Sequence, residues 1–90
     1  MVKVRVPTQL RNLCGGEKEL EVEGARISEV LEAIKHAHPE LGRMITNDAG
    51  ELHRFVNVYV DDDDVRYTGL GQTPTHDGAV VSIIPAVAGG

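Results

Sequence analysis

A chain of 90 residues makes one small domain, and at that size folding buries only about 60% of the surface the unfolded chain exposes. Apolar residues supply 41% of it, enough for a core, but Phe55, Tyr59 and Tyr67 are its only aromatics, which excludes a base-stacking platform for single-stranded nucleic acid. Nine Lys and Arg against 14 Asp and Glu give a net charge of −5, the wrong sign for nucleic acid or an anionic membrane and a better match to a basic protein surface.

Val2, Val4 and Val6 alternate with Lys3 and Arg5, the period of a half-buried strand. Pro7 has no amide hydrogen to give a ladder and ends it. A loop follows to Gly15-Gly16, a pair suited to a turn. Glu17 to Val22 then alternates again, with Lys18, Leu20 and Val22 on one side and Glu17, Glu19 and Glu21 on the other. Two alternating runs around a glycine turn predict an opening hairpin.

The period then changes. Ile27, Val30, Leu31, Ile34 and Ala37 recur at intervals of three and four, one stripe of an amphipathic helix. Ser28 is placed to cap it, Glu29 faces the positive end of its dipole, and Pro39 ends it near His38. Leu41, Met44 and Ile45 predict a short further turn under the sheet, and Asn47 to Gly50 a loop. Phe55 to Val60 reads as the clearest strand, with Val56, Val58 and Val60 inward. Asp61 to Asp64 predict a turn into a short strand at Val65 to Tyr67, followed by a glycine- and proline-bearing stretch from Gly69 to Pro74. The last strand, Ala79 to Ile84, is apolar on both faces apart from Ser82, as a central strand is. The expected architecture is α+β: a mixed sheet with one main helix on one face, the β-grasp or ubiquitin-like arrangement. Residues 1–85 are expected to form the domain and 86–90 a flexible C-terminal tail.

Little in the domain itself predicts catalysis. Cys14 has no second cysteine for a disulfide or a zinc knuckle, and nothing local lowers its pKa. His36 and His38 are two apart on the helix and point in different directions, while His53 and His76 fall in separate loops, so no metal site is expected. Asp61 to Asp64 lack the alternating ligands, glycine and distant Glu of a calcium loop. No nucleophilic triad or phosphate loop can be read. No stretch is apolar enough for a signal peptide or a bilayer span, which predicts a cytoplasmic protein.

The ending is different. Pro85 stops the last strand, and Ala86, Val87, Ala88, Gly89 and Gly90 are small and uncharged except for the terminal carboxylate. Glycines without a Cβ can thread a narrow channel, so the expected reactive group is the carboxylate of Gly90, delivered into another protein's active site. With 10 glycines in 90 residues, composition alone would end a chain in a pair about 1% of the time. Gly15-Gly16 is the internal control, the same dipeptide placed where a hairpin must turn.

This pattern, with its Pro85-Ala86-Val87-Ala88-Gly89-Gly90 close, resembles the ThiS/MoaD family of ubiquitin-like sulfur carriers. The stretches Leu52 to Val60 and Asp64 to Tyr67, with the Val6-Pro7-Thr8 opening, are most similar to the branch serving cysteine biosynthesis. The resemblance covers essentially the whole chain. It implies a protein cosubstrate rather than an enzyme, monomeric alone, binding no cofactor or metal itself. An ATP-dependent activating enzyme, related to ubiquitin-activating enzymes, would adenylate Gly90, and a sulfur donor would displace AMP to leave a thiocarboxylate. A pyridoxal-phosphate cysteine synthase using O-phosphoserine would supply the sulfur acceptor, and a zinc-dependent JAMM-type peptidase would release cysteine. ATP, pyridoxal phosphate and zinc would all belong to those partners. Ala86, Val87, Ala88 and Gly89 would be the slim lead-in to partner sites. The same resemblance leaves open a small subunit of molybdopterin synthase, thiolation of tRNA or a thiamin precursor, and a protein modifier; a plain β-grasp interaction module also remains. A partner surface is expected on the exposed side of the sheet near the tail, around Arg54, Arg66 and Tyr67.

Overall fold

Val2, Val4 and Val6 are buried and Lys3 and Arg5 exposed, so the alternation at the start of the chain does mark a strand, β1 (Val2–Arg5). The computed structural model describes residues 1–53 and 56–85. Strand β1 pairs antiparallel with β2 (Glu19–Val22). Two helices follow, α1 (Ile27–Ala37) and α2 (Pro39–Ile45), then β3 (Val56–Val60), the two-residue β4 (Asp63–Asp64) and β5 (Val80–Pro85). The sheet order is β2-β1-β5-β3-β4, with β1 and β5 parallel at the centre and every other pair antiparallel. This is the expected mixed β-grasp sheet.

The stripe Ile27, Val30, Leu31 and Ile34 is buried against the inward face of the sheet, where Val4, Val58, Val81 and Ile83 lie. Each such side chain removed from water contributes about 1.5–3 kcal/mol. Ala37 lies past the end of the stripe and is exposed. The helix is not capped by Ser28. Arg26 holds the capping position without a side-chain bond, and the Ile27 amide donates to the Thr73 carbonyl at 2.9 Å. A distant loop thus supplies the acceptor that a local side chain usually provides. Glu29 instead reaches back to accept the Ala25 amide at 3.0 Å.

Three further differences from the sequence reading have local causes. The loop after Pro7 is a 3-10 helix, Thr8–Cys14, whose Leu10 and Cys14 are buried. Gly15 and Gly16 then turn with φ of 72° and 84°, as the glycine pair predicts. Strand β2 starts at Glu19, because the Cys14 thiol donating to the Glu17 carbonyl at 3.3 Å keeps Glu17 in the turn, and Lys18 is exposed. Val65–Tyr67 is a 3-10 turn, not a strand. The Asp64 carboxylate accepts the Arg66 amide at 2.9 Å, which winds the chain and sinks Val65 into the core.

Pro39 ends α1 and also opens α2, where its missing amide hydrogen costs nothing. Leu41 and Ile45 of α2 are buried as expected, and Met44 is exposed. Gly42 lies directly on α1: a Cβ there would stand 2.7 Å from the Lys35 Cα and 2.8 Å from its Cβ. Alanine is intrinsically the better helix former by about 1 kcal/mol. Here the backbone it would strike cannot rotate away, so Gly42→Ala is expected to destabilise the fold by about 1–3 kcal/mol. Urea denaturation checks this, and a midpoint at or above the wild-type value would contradict it.

Candidate functional site

The five residues from Ala86 to Gly90, to which the sequence assigns the chemistry, lie outside the described residues, as do Arg54 and Phe55. What the structure gives is the platform from which the tail departs. Strand β5 is hydrogen-bonded on both sides, to β1 through residues 80–82 and to β3 through residues 81–85. Withdrawing it would break two ladders at once, so the strand leading to Gly90 is held on both sides at the middle of the sheet. Pro85, opposite Val56, has no amide hydrogen, and its side chain is half-buried.

The outer face of the sheet beside this exit is mixed. Register places Glu19, Arg5, Ser82, Tyr59 and Asp64 in one row across all five strands. Nearer the exit, Ile84 is 47% exposed and stands opposite Asn57. The Asn57 Oδ1 is buried and has no hydrogen-bond donor among the described residues. Alternation identifies Asn57 as outward-facing, but no sequence signal reveals that its oxygen is buried. Tyr67, the last residue of the 3-10 turn, is 86% exposed. Arg66, by contrast, is engaged: its guanidinium lies 3.2 Å from the Asp64 carboxylate, whose side chain is only 10% exposed. Hydrogen bonds from the Arg66 side chain and then its amide hold Asp64 below the usual carboxylate range, and the same pair raises Arg66.

No group of three or more His, Cys, Asp or Glu among the described residues could hold a metal ion. Burial pushes the Cys14 thiol up, the reverse of what a nucleophile needs. A cleft of about 500 Å³ on the helix side, between α1 and the loops 50–52 and 69–72, carries Ser28 and Glu51 but no histidine to activate a hydroxyl. No helix among the described residues is long and apolar enough to cross a membrane.

The shortest ion-pair distances among the described residues lie at the other end of the sheet. The Met1 ammonium contacts Asp77 at 2.5 Å, and His76 Nε2 lies 2.8 Å from Asp61. Asp61 also accepts the Val80 amide at 3.1 Å, and its φ of +55° lies in the left-handed region. This end secures the start of β5 as the ladders secure its length.

The ThiS family model matches residues 4–90. The sulfur carrier protein CysO of Mycobacterium tuberculosis is 40% identical over 91 residues, covering 99% of this chain and 98% of that protein. A chain of the crystal structure of the Amycolatopsis orientalis BexX/CysO complex superposes with a TM-score of 0.92 at 41% identity, with 100% of both chains covered. The solution structure of small archaeal modifier protein 1 from Methanosarcina acetivorans gives 0.86 at 26% identity, covering 99% of this chain and 95% of that one.

The Asp61 carboxylate, and then the Asp77 carbonyl, raise His76 above its ordinary value, while His76 and the Val80 amide lower Asp61. The stabilisation from His76 is therefore complete below about pH 6.5 and lost as pH rises through its raised folded value. That from Asp61 is present above about pH 3.9 and lost as pH falls through its lowered one. In an NMR titration His76 is expected to titrate above about 6.5, and Asp61→Asn, which tolerates the same φ, to bring it back down. A wild-type His76 midpoint at or below that value would contradict the pairing.

Proposed function

The chain belongs to the ThiS family, and from that premise we propose that it is a sulfur carrier whose C-terminal Gly90 bears the sulfur for cysteine biosynthesis from O-phosphoserine. The observation that carries the reading is the similarity to CysO, which runs along essentially the whole of both chains. The rigid seating of β5 and the diglycine in the sequence beyond it support the same reading.

A carboxylate is a poor electrophile because its leaving group would be oxide. In the proposed cycle the Gly90 carboxylate attacks the α-phosphate of ATP on an activating enzyme, pyrophosphate leaves, and an acyl-adenylate remains. A sulfur donor then forms the C–S bond as AMP departs, giving a thiocarboxylate. Its sulfur is anionic at neutral pH and more nucleophilic than the oxygen it replaced. It adds to the acceptor formed when O-phosphoserine loses phosphate on a pyridoxal-phosphate synthase. The amine of the new thioester takes the acyl group from sulfur, and a JAMM-type zinc peptidase hydrolyses the resulting amide. Cysteine leaves and the Gly90 carboxylate is restored. The carrier supplies recognition and a tethered sulfur, while ATP, pyridoxal phosphate and zinc stay with its partners. We place this cycle in the cytoplasm.

The similarity to small archaeal modifier protein 1 supports a second reading, in which the activated Gly90 forms isopeptide bonds with lysines. Conjugates of higher mass in cell extracts would favour it.

In the first reading Gly90 and Gly89 matter to the tail and not to the fold. Deleting Gly90 is expected to abolish ATP-dependent activation, and Gly89→Phe to lower it at least about 100-fold, roughly 2.7 kcal/mol of barrier. Both should leave the circular dichroism spectrum and melting temperature at wild-type values. ATP–pyrophosphate exchange measures the activation, and normal rates for the Gly90 deletion would overturn the assignment.

A further inference from the structure

The net charge of −5 hides a local reversal of sign. Arg5, the last residue of β1, points outward, and Glu19 opens β2 opposite it. Between them the chain turns back through the 3-10 helix and the glycine pair, so that the Val6 amide donates to the Lys18 carbonyl at 2.9 Å. Arg11 of that helix is aimed at the same place, its Nε donating to the Val6 carbonyl at 3.0 Å with the side chain half-buried. Three separate segments thus bring Arg5, Arg11 and Lys18 around one cleft of about 240 Å³, with Glu19 as its only carboxylate.

Three cations and one carboxylate leave the cleft at +2. Glu19 does little to cancel it: its oxygen stands 4.0 Å from the Arg5 Nε, and both side chains are exposed. Among the described residues no carboxylate lies within ion-pair distance of Arg11 or Lys18. The bond to Val6 uses one of the five guanidinium N–H groups of Arg11 and fixes its plane, leaving the remainder to bind an incoming acceptor.

The position of the cleft says what that acceptor belongs to. β1 and β5 are parallel with Arg5 beside Ser82, so the cleft opens at the end of the sheet where β5 runs out at Pro85. β2 is two strands from β5, about 10 Å. The five residues from Ala86 to Gly90 can reach about 17 Å when extended. An enzyme that takes Gly90 into its active site therefore comes within reach of the cleft.

Resting on the sulfur-carrier reading, we propose that this cleft docks an acidic, Asp- or Glu-bearing segment of the activating enzyme that receives the tail. Two guanidinium forks and an ammonium match carboxylates in charge and geometry. The remaining residues are net negative, so attraction at this cleft favours one orientation in which the tail arrives.

The test is steady-state ATP–pyrophosphate exchange by the activating enzyme of the same cell, with carrier concentration varied. Lys18 is exposed, so Lys18→Glu should fold normally; it is expected to raise the KM for carrier about ten-fold with kcat within two-fold of wild type. Lys18→Arg should restore the wild-type KM. The triple variant Arg5→Ala, Arg11→Ala, Lys18→Ala should lose most of the dependence of KM on salt between 50 and 300 mM, roughly the range over which surface charges become screened. Lys3→Glu, on the same face toward the other end of β1, should change KM less than two-fold, a rough allowance for long-range charge effects. An unchanged KM in Lys18→Glu, or equal losses in Lys18→Glu and Lys3→Glu, would overturn the docking site while leaving the carrier reading standing. A wild-type chain that the enzyme does not adenylate at all would overturn the carrier reading and the docking site with it.

Discussion

The structure depends on the parallel pairing of β1 with β5. Lys3, Val4 and Arg5 lie beside Val80, Val81 and Ser82, which puts the last strand of the chain against the first and closes the sheet at its centre. Without that pairing β3 and β4 would have no connection to the β1–β2 hairpin. Parallel neighbours need a crossover, and the two helices supply it, covering the inner face on the way. Because β5 is bonded on both sides, its opening belongs with global unfolding rather than with local fraying. In the proposed cycle such an anchored strand would hold the domain in place while Gly90 is delivered to another protein.

The parts of the fold legible in the sequence are those fixed by local periodicity. Val2, Val4 and Val6 could only be a half-buried strand, and Ile27, Val30, Leu31 and Ile34 only a helical stripe, because each spacing leaves one face to bury. The two-sided apolar run after Ala79 correctly implied a strand with neighbours on each side. What the sequence could not reveal depends on residues distant along the chain. Ser28 looked like a cap, but the acceptor for the Ile27 amide is the Thr73 carbonyl. Val65 to Tyr67 has strand-forming residues, yet one carboxylate bond from Asp64 turns it into a 3-10 helix. The convergence of Arg5, Arg11 and Lys18 is invisible for the same reason: no periodic pattern joins them, and only the fold of the Thr8–Cys14 helix does.

The candidate site divides in the same way. The end to which the sequence assigns the chemistry, small residues and a glycine pair after Pro85, is a pattern of composition and lies outside the described residues. Its surroundings were legible only in part. Tyr67 is as exposed as expected, whereas Arg66 is committed to Asp64 and the buried oxygen of Asn57 gave no sign of itself. Net charge was similarly incomplete. A total of −5 points to a basic partner, but it is a sum, and a partner meets the local pattern, which in the cleft of Arg5, Arg11 and Lys18 is positive.

The central claim is that Gly90 carries sulfur to a carbon derived from O-phosphoserine, and intact mass spectrometry tests it most directly. The carrier would first be converted with ATP, the activating enzyme and a sulfur donor, then given O-phosphoserine and the pyridoxal-phosphate synthase of the same cell. The account predicts a chain whose mass rises by the difference between sulfur and oxygen in the first step and by one cysteine residue over the unmodified chain in the second. A first-step product that persists unchanged, with a synthase shown to be active on free sulfide, would contradict the cysteine assignment. A chain that never gains sulfur at Gly90 would contradict the account as a whole.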